Sequence, residues 1–401
     1  MLVLVADKFE ESGLEGLKKL GLDVDFKPDL VGDALTDALS AGGHEILIVR
    51  STEVKKDSID KSRLSLIIRA GSGYNTIDVA AASERGIRVT NCPGKNAQAV
   101  AELAFGLMIA CDRRIADNTS DLRNGHWNKK KYSQAKGLFG RTLGLIGMGR
   151  ISQEMVTRAH AFGMNITAFS RWMTPETAAA MDIGRAASLE ELAKTSDFVS
   201  VHLSLNSTTK GVLDKKFFDA LKPGSVFVNT SRGEVVNQED FLAALGEGKF
   251  FAGLDVFEGE PKSAVADYDG PIKDFPNVYC THHIGASTEQ AQEAVSEETV
   301  RIVREYMLSG IVPNVVNVAK GEQANFLLIV RHADKVGVLA HVFDVLKNEN
   351  VNVQEMENVV LGGSHSAIAQ IAIDNALSKE GLVKIKDNSS IFDATCMAIQ
   401  K

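Results

Sequence analysis

The chain has 401 residues, more than one hydrophobic core ordinarily serves, so two or three domains are expected. Hydrophobic residues make up 44% and charged residues 24%, a balance that excludes a disordered or membrane-filling chain. A formal charge of −8 argues against nucleic acid or an anionic membrane as the main partner, so any anionic small molecule must be met by a few locally placed cations. The four cysteines (Cys92, Cys111, Cys280 and Cys396) form no C-x-x-C pair and have no histidine at ligand spacing, which fits a reducing cytosol better than a disulfide framework or a structural metal.

The first residues, Met1 to Ala6, are apolar but stop at Asp7-Lys8. That run is too short for a signal segment or a membrane span and reads as a buried first strand, with a cytoplasmic location expected. Further strands are predicted at Ile46–Val49, Leu66–Ile68 and Ile87–Val89, with amphipathic stretches at Glu15–Leu20 and Val79–Glu84 between them. Ala97–Ala110 is apolar nearly all round and predicts a helix buried between domains or subunits. Thr142–Ile146 opens a second alternating series that runs to about Cys280, and Ser287–Leu308 predicts a helix stopped by Gly310 and Pro313. From Phe326 the pattern restarts as Phe326–Val330, Val338–Asn348, Val351–Met356 and Ala367–Ile373, short enough for its own small domain.

Strand–helix alternation predicts parallel sheets with helices on both faces. The expected architecture is a Rossmann-type doubly wound domain (96–284) inserted into a flavodoxin-like α/β domain (1–95 and 285–320), plus a small C-terminal α+β domain (324–401).

Gly147-Met148-Gly149-Arg150-Ile151-Ser152 follows the strand Thr142–Ile146 and precedes a helical stretch. Glycines there tighten the turn and let the backbone approach a pyrophosphate at the helix N-terminus. The third glycine of the fingerprint is Ser152, small enough to keep helix and strand close. The next strand, Asn165–Phe169, ends in Ser170-Arg171, without the acid that usually accepts from an NAD ribose. Arg171 leaves NADP open beside NAD.

Three later segments carry candidate chemistry: Ser231-Arg232-Gly233 at a strand end, Leu254-Asp255-Val256-Phe257 running to Glu260-Pro261, and His283-Ile284-Gly285-Ala286-Ser287. With Asn96–Glu102 and Val201-His202-Leu203 upstream, this order resembles the D-2-hydroxyacid dehydrogenase family over nearly all of residues 1–320. The resemblance implies that Arg232 grips a substrate carboxylate, His283 is the acid/base, and Glu260 holds its ring and favours the imidazolium. It implies a nicotinamide dinucleotide bound by Val100, Gly147, Gly149, Arg150, Ile151, Ser170, Arg171 and Asp255. His282 is read as a neighbour of the catalyst and Cys92 as a packing thiol.

Arg50 after one strand and Arg69-Ala70-Gly71-Ser72-Gly73 after the next resemble segments that line the active site in the phosphoglycerate dehydrogenase branch of that family. Arg50 and Arg69 would counter a substrate phosphate, and Ser72 and Gly73 would approach substrate and nicotinamide. Lys129-Lys130-Lys131 would either add charge from a dimer mate or form a solvated face. Leu328 to Leu339 and Asn350-Val351-Asn352-Val353 resemble an ACT domain, in which His332 and Asp334 match positions that hold L-serine in feedback-inhibited relatives. The expectation is oxidation of 3-phospho-D-glycerate on the way to L-serine by a homodimer or homotetramer. The alternatives are a hydroxypyruvate or glyoxylate reductase and, of another class, a non-enzymatic dinucleotide-sensing protein. A hinge for domain closure is expected near Pro93–Ala97 and Gly285.

Overall fold

The structure is a computed structural model that describes residues 1–261, 265–319 and 324–399. Positions 320, 400 and 401, which the sequence reading placed at domain ends, lie outside the described residues. Residues 1–317 form one compact unit and residues 318–401 a second.

The first unit holds two parallel sheets. Strands β1 (Leu2–Val5), β2 (Asp23–Phe26), β3 (Ile46–Val49), β4 (Leu66–Arg69) and β5 (Arg88–Asn91) pair in the order β2-β1-β3-β4-β5. The fully buried runs Ile46–Val49 and Leu66–Ile68 explain why no alternation is visible in these strands: helices cover both faces. One face packs under Leu35, Leu39, Ile59 and Ala82. The other packs under Leu17, Ile302 and Val303. The helix Glu289–Ser309 therefore returns to this sheet, capped at its start by Thr288 and stopped at Gly310 in the left-handed conformation.

Strands β6 (Thr142–Ile146), β7 (Asn165–Phe169), β8 (Gly184–Arg185), β9 (Phe198–Val201), β10 (Val226–Asn229), β11 (Phe251–Leu254) and β12 (Val278–Cys280) form the second sheet, ordered β12-β11-β10-β9-β6-β7-β8. The order reverses between β6 and β9, and such switch points open a crevice beyond the strand ends. The expected helix at Ala97–Ala110 runs three residues further, to Arg113. Its buried residues Ala101, Ala104, Leu107 and Met108 share a core with Leu143 and Val228 of this same sheet and with Met155 of the helix Arg150–Ala161.

The second unit has the order β13 (Phe326–Ala333), helix Val338–Asn348, β14 (Val353–Val360), β15 (Ser366–Ile373), helix Lys379–Lys386, β16 (Ile391–Ala398). Its antiparallel sheet is ordered β14-β15-β13-β16, with both helices closing one core over Leu328, Val330, Ala369 and Ile371. The last helix and strand were not resolved by the hydrophobic pattern, because lysines alternate with the buried Ile385 in the helix and exposed Phe392 and Met397 mix the strand's faces.

Candidate functional site

The C-terminal ends of β3 and β4 meet those of β10 and β11 around a cavity of about 500 Å³. Arg50, Arg69, Arg232, Glu260 and His283 line it together, with Lys8, Asn75 and Gln292. Residues separated by more than 200 positions thus share one chamber, as strand ends of open α/β sheets allow.

Arg232 follows β10, where Asn229 organises the turn. The Asn229 side-chain oxygen accepts from the Ser231 N–H (3.0 Å) and hydroxyl (2.8 Å), and its amide donates to the Arg232 carbonyl (2.9 Å). The guanidinium donates through Nη1 to the Ser231 carbonyl (2.7 Å) and through Nη2 to Asn75 Oδ1 (3.3 Å). Burial pushes its pKa down, the mark of a cation short of solvent and of a matching anion. Arg69 is more strained in this sense. Burial first, then the charges of Arg232 and Arg50, lower its pKa to about 10, and its Nε has no protein partner. Its guanidinium lies across Gly71, where any side chain would collide with it.

His283 sits on a loop held by Asp255. That buried carboxylate accepts from the Thr281 hydroxyl (2.6 Å), the Ile284 N–H (2.8 Å) and the Gly285 N–H (2.8 Å), while its carbonyl accepts from the His283 N–H (2.9 Å). The clamp supports His283 at φ 53°, a conformation that few non-glycine residues adopt without support. Glu260 Oε2 meets His283 Nδ1 at 2.7 Å, and its Oε1 accepts from the Phe257 N–H at 2.9 Å. A carboxylate accepts only, so Nδ1 carries the proton and Nε2 is left basic.

The turn after β6 fits the pyrophosphate of a dinucleotide. Gly147 adopts φ 93°, and a Cβ there would stand 2.5 Å from the His202 carbonyl oxygen. Beside Gly149, the N-cap of the helix Arg150–Ala161, a Cβ would meet nothing within 4 Å, leaving room over first-turn N–H groups that have no partner in the helix. Ser152, in place of the third glycine, is fully buried and donates its hydroxyl to the Gly147 carbonyl (2.9 Å), so it fastens the turn as well as fitting beneath it. Arg150 leans over Gly94, Ile151 packs into the core, and Val100 lies against Gly285. Ser170 is half-buried at the end of β7 and Arg171 is exposed.

The Ser72 hydroxyl turns to Asn96 Oδ1 (2.7 Å) rather than into the cavity, and Gly73 lies under the Arg232 guanidinium; Ala70, Gly71, Asn75 and Thr76 line that wall instead. Asp255, expected beside a nicotinamide amide, also holds the His283 loop, accepting from Thr281 and Ile284 at Oδ1 and from Gly285 at Oδ2. His332 is buried at 2% exposure with Nδ1 on the Ala333 carbonyl (2.8 Å) and Nε2 on Asn358 Oδ1 (3.0 Å), whereas Asp334 is exposed at the turn after β13. Lys131 pairs with Asp121 at 3.1 Å, and Cys92 is buried against the Thr299 hydroxyl.

The sequence reading missed one residue that lines the cavity, Gln292, and one that stands behind its wall, Asp7. Gln292 accepts from Arg50 Nη1 at 2.8 Å, and Asp7 holds the loop that carries Arg50. An acid at a strand end and a glutamine on a helix carry no local signal of this kind.

The family model of the D-isomer specific 2-hydroxyacid dehydrogenase NAD binding domain matches residues 105–285. A hydroxypyruvate reductase of Thermotoga maritima is 43% identical over 64% of this chain and 82% of its own length. The chain belongs to the D-isomer specific 2-hydroxyacid dehydrogenase family. It carries that family's NAD-binding domain. A D-3-phosphoglycerate dehydrogenase of Methanocaldococcus jannaschii is 37% identical over 79% of this chain, which spans 59% of that relative's length. Among solved structures, an NAD⁺-bound 3-phosphoglycerate dehydrogenase of Entamoeba histolytica is similar, with TM-score 0.66 and 26% identity over 79% of this chain and 99% of that one. Among the described residues no helix is long and apolar enough to cross a membrane, and no group of His, Cys, Asp or Glu is placed to hold a metal.

Proposed function

We propose that the protein oxidises 3-phospho-D-glycerate to 3-phosphohydroxypyruvate with NAD, a step toward L-serine. The observation that carries this reading is the convergence of Arg50, Arg69 and Arg232 on one cavity with His283. A substrate with one carboxylate would need Arg232 alone, through two parallel bonds. Two further guanidiniums, one of them deeply desolvated, call for a second and more highly charged anion such as a phosphate. His283 Nε2 takes the hydroxyl proton, and Glu260 supports the imidazolium that forms. A bound nicotinamide supplies the hydride acceptor. Gly147, Gly149 and Arg150 would hold its pyrophosphate, with Val100 and Ile151 in the floor of the site and Ser170 and Arg171 toward the ribose.

Residues 324–399 are read as an ACT-like regulatory module, supported by their β-α-β-β-α-β order. An amino-acid effector such as L-serine would meet it at the Asp334 turn, and the enzyme would work as a homodimer or homotetramer.

The reading is tested by following the reduced cofactor's absorbance with 3-phosphohydroxypyruvate against hydroxypyruvate, with NADH and NADPH in parallel. A kcat/KM ratio favouring the phosphorylated acid at least tenfold is expected. Equal rates would favour the second reading, a hydroxypyruvate or glyoxylate reductase. The 43% identity to a reductase supports that reading, as does an arginine rather than an acid after β7, which suits NADPH.

A further inference from the structure

The loop after β3 has an internal anion at its centre. Asp7, at the end of the neighbouring strand β1, is 9% exposed. Its Oδ2 accepts three consecutive backbone N–H groups, those of Arg50 (2.6 Å), Ser51 (3.0 Å) and Thr52 (3.0 Å). Its Oδ1 accepts from the Ser51 hydroxyl at 3.0 Å. Successive N–H groups turned to one point form the kind of concavity that otherwise captures a phosphate or carboxylate ligand. Here the protein's own carboxylate fills it.

Two consequences follow. The Arg50–Thr52 loop is held by four charge-assisted bonds, one of them from the Arg50 N–H itself, so the Arg50 side chain leaves from a rigid origin and reaches Gln292 Oε1 at 2.8 Å. A substrate anion, moreover, finds the backbone donors of this loop already taken and must be met by the guanidinium. Asp7 also lies within electrostatic reach of Arg69, where its charge favours the cation.

We infer that Asp7 is a specificity-determining positioning residue, which sets Arg50 for the more distant anionic group of the substrate and leaves the carboxylate and proton-transfer positions at Arg232 and His283 untouched. This rests on the reading of the cavity as a site for a phosphorylated hydroxyacid.

The test compares steady-state constants for 3-phosphohydroxypyruvate and hydroxypyruvate in the full chain and in Asp7→Asn, Arg50→Ala and the double variant. Asp7→Asn turns an amide NH₂ or a single neutral oxygen toward the three N–H groups, so the loop loses its anchor. For the phosphorylated acid, KM is expected to rise at least tenfold with kcat within about twofold. Both constants for the unphosphorylated acid should stay within about twofold. In the Arg50→Ala background the same substitution should change the ratio by less than twofold, since residues acting through one another are not additive. If Asp7→Asn does not fold, Asp7→Ser removes the carboxylate without facing donors with donors, and the same ratio is read there. A variant that keeps the wild-type preference, or loses activity equally on both acids, overturns the inference. A wild-type enzyme with no preference for the phosphorylated acid instead overturns the reading of the cavity, whatever Asp7 does.

Discussion

The cavity and the nucleotide turn handle negative charge by opposite means. Around the cavity the positive charge is carried by side chains, Arg50, Arg69 and Arg232, each projected from a strand end and partly stripped of water. At Gly147–Ser152 the positive potential comes from backbone N–H groups at the start of a helix, with Arg150 as the only cationic side chain in the turn. A side-chain site can count charges and place them, so it discriminates among acids. A backbone site is set by conformation, so it depends on what is absent at Gly147 and recognises a group common to all dinucleotides.

That contrast makes the two ends separable by mutation. The largest effect is expected from His283→Ala, with kcat falling about 10²- to 10⁴-fold. NADH binding, followed by fluorescence, should change less than twofold; a parallel loss would mean that the loop had collapsed rather than that the base had gone. Gly147→Ala is next, because its Cβ would press on the His202 carbonyl at a φ of 93°. NADH affinity should drop more than tenfold, while the thermal shift given by a phosphorylated hydroxyacid persists. Loss of both would show that the two ends are not independent.

A smaller effect is expected under the turn. Burial pushes the His202 imidazole from 6.5 down to about 3, while Ser200 Oγ holds its Nε2 at 3.0 Å. The unfolded ring gains a proton below 6.5 and the folded ring does not. Its contribution is therefore complete above pH 6.5 and is lost as pH falls toward 3. Between pH 7 and pH 5 this amounts to about 2 kcal/mol. Urea unfolding at the two pH values should show His202→Asn with a correspondingly flatter pH dependence. The smallest change is expected for Ser152→Ala, about 1 kcal/mol for one buried hydroxyl bond. An equal loss in Ser152→Gly would assign the role to the hydrogen bond rather than to packing.

Much of the molecule was legible in its sequence because the signals are local. Gly147-Met148-Gly149 between a strand and a helix needs only a few neighbours to be read, and the buried strands Ile46–Val49 and Thr142–Ile146 lie where their apolar runs lie. The order of Arg232, Glu260 and His283 along the chain identified the candidate acid/base pair, whose 2.7 Å contact is in place. The partners of Ser72, Asp255 and His332 were not legible, because sequence gives a residue's position on a loop or strand but not the direction of its side chain. That direction is decided by partners far along the chain: Asn96 for Ser72, the Thr281–Gly285 loop for Asp255, Asn358 across the sheet for His332. Asp7 and Gln292 are invisible for the same reason, since Asp7 meets Arg50 only because β1 pairs with β3, and Gln292 reaches it only because the helix Glu289–Ser309 returns to the first sheet. Composition and periodicity thus determined the elements and their class, through burial and backbone preference. The tertiary structure decided which charges face one another, because Coulombic and hydrogen-bonded contacts depend on ångström distances that no pattern along the chain encodes.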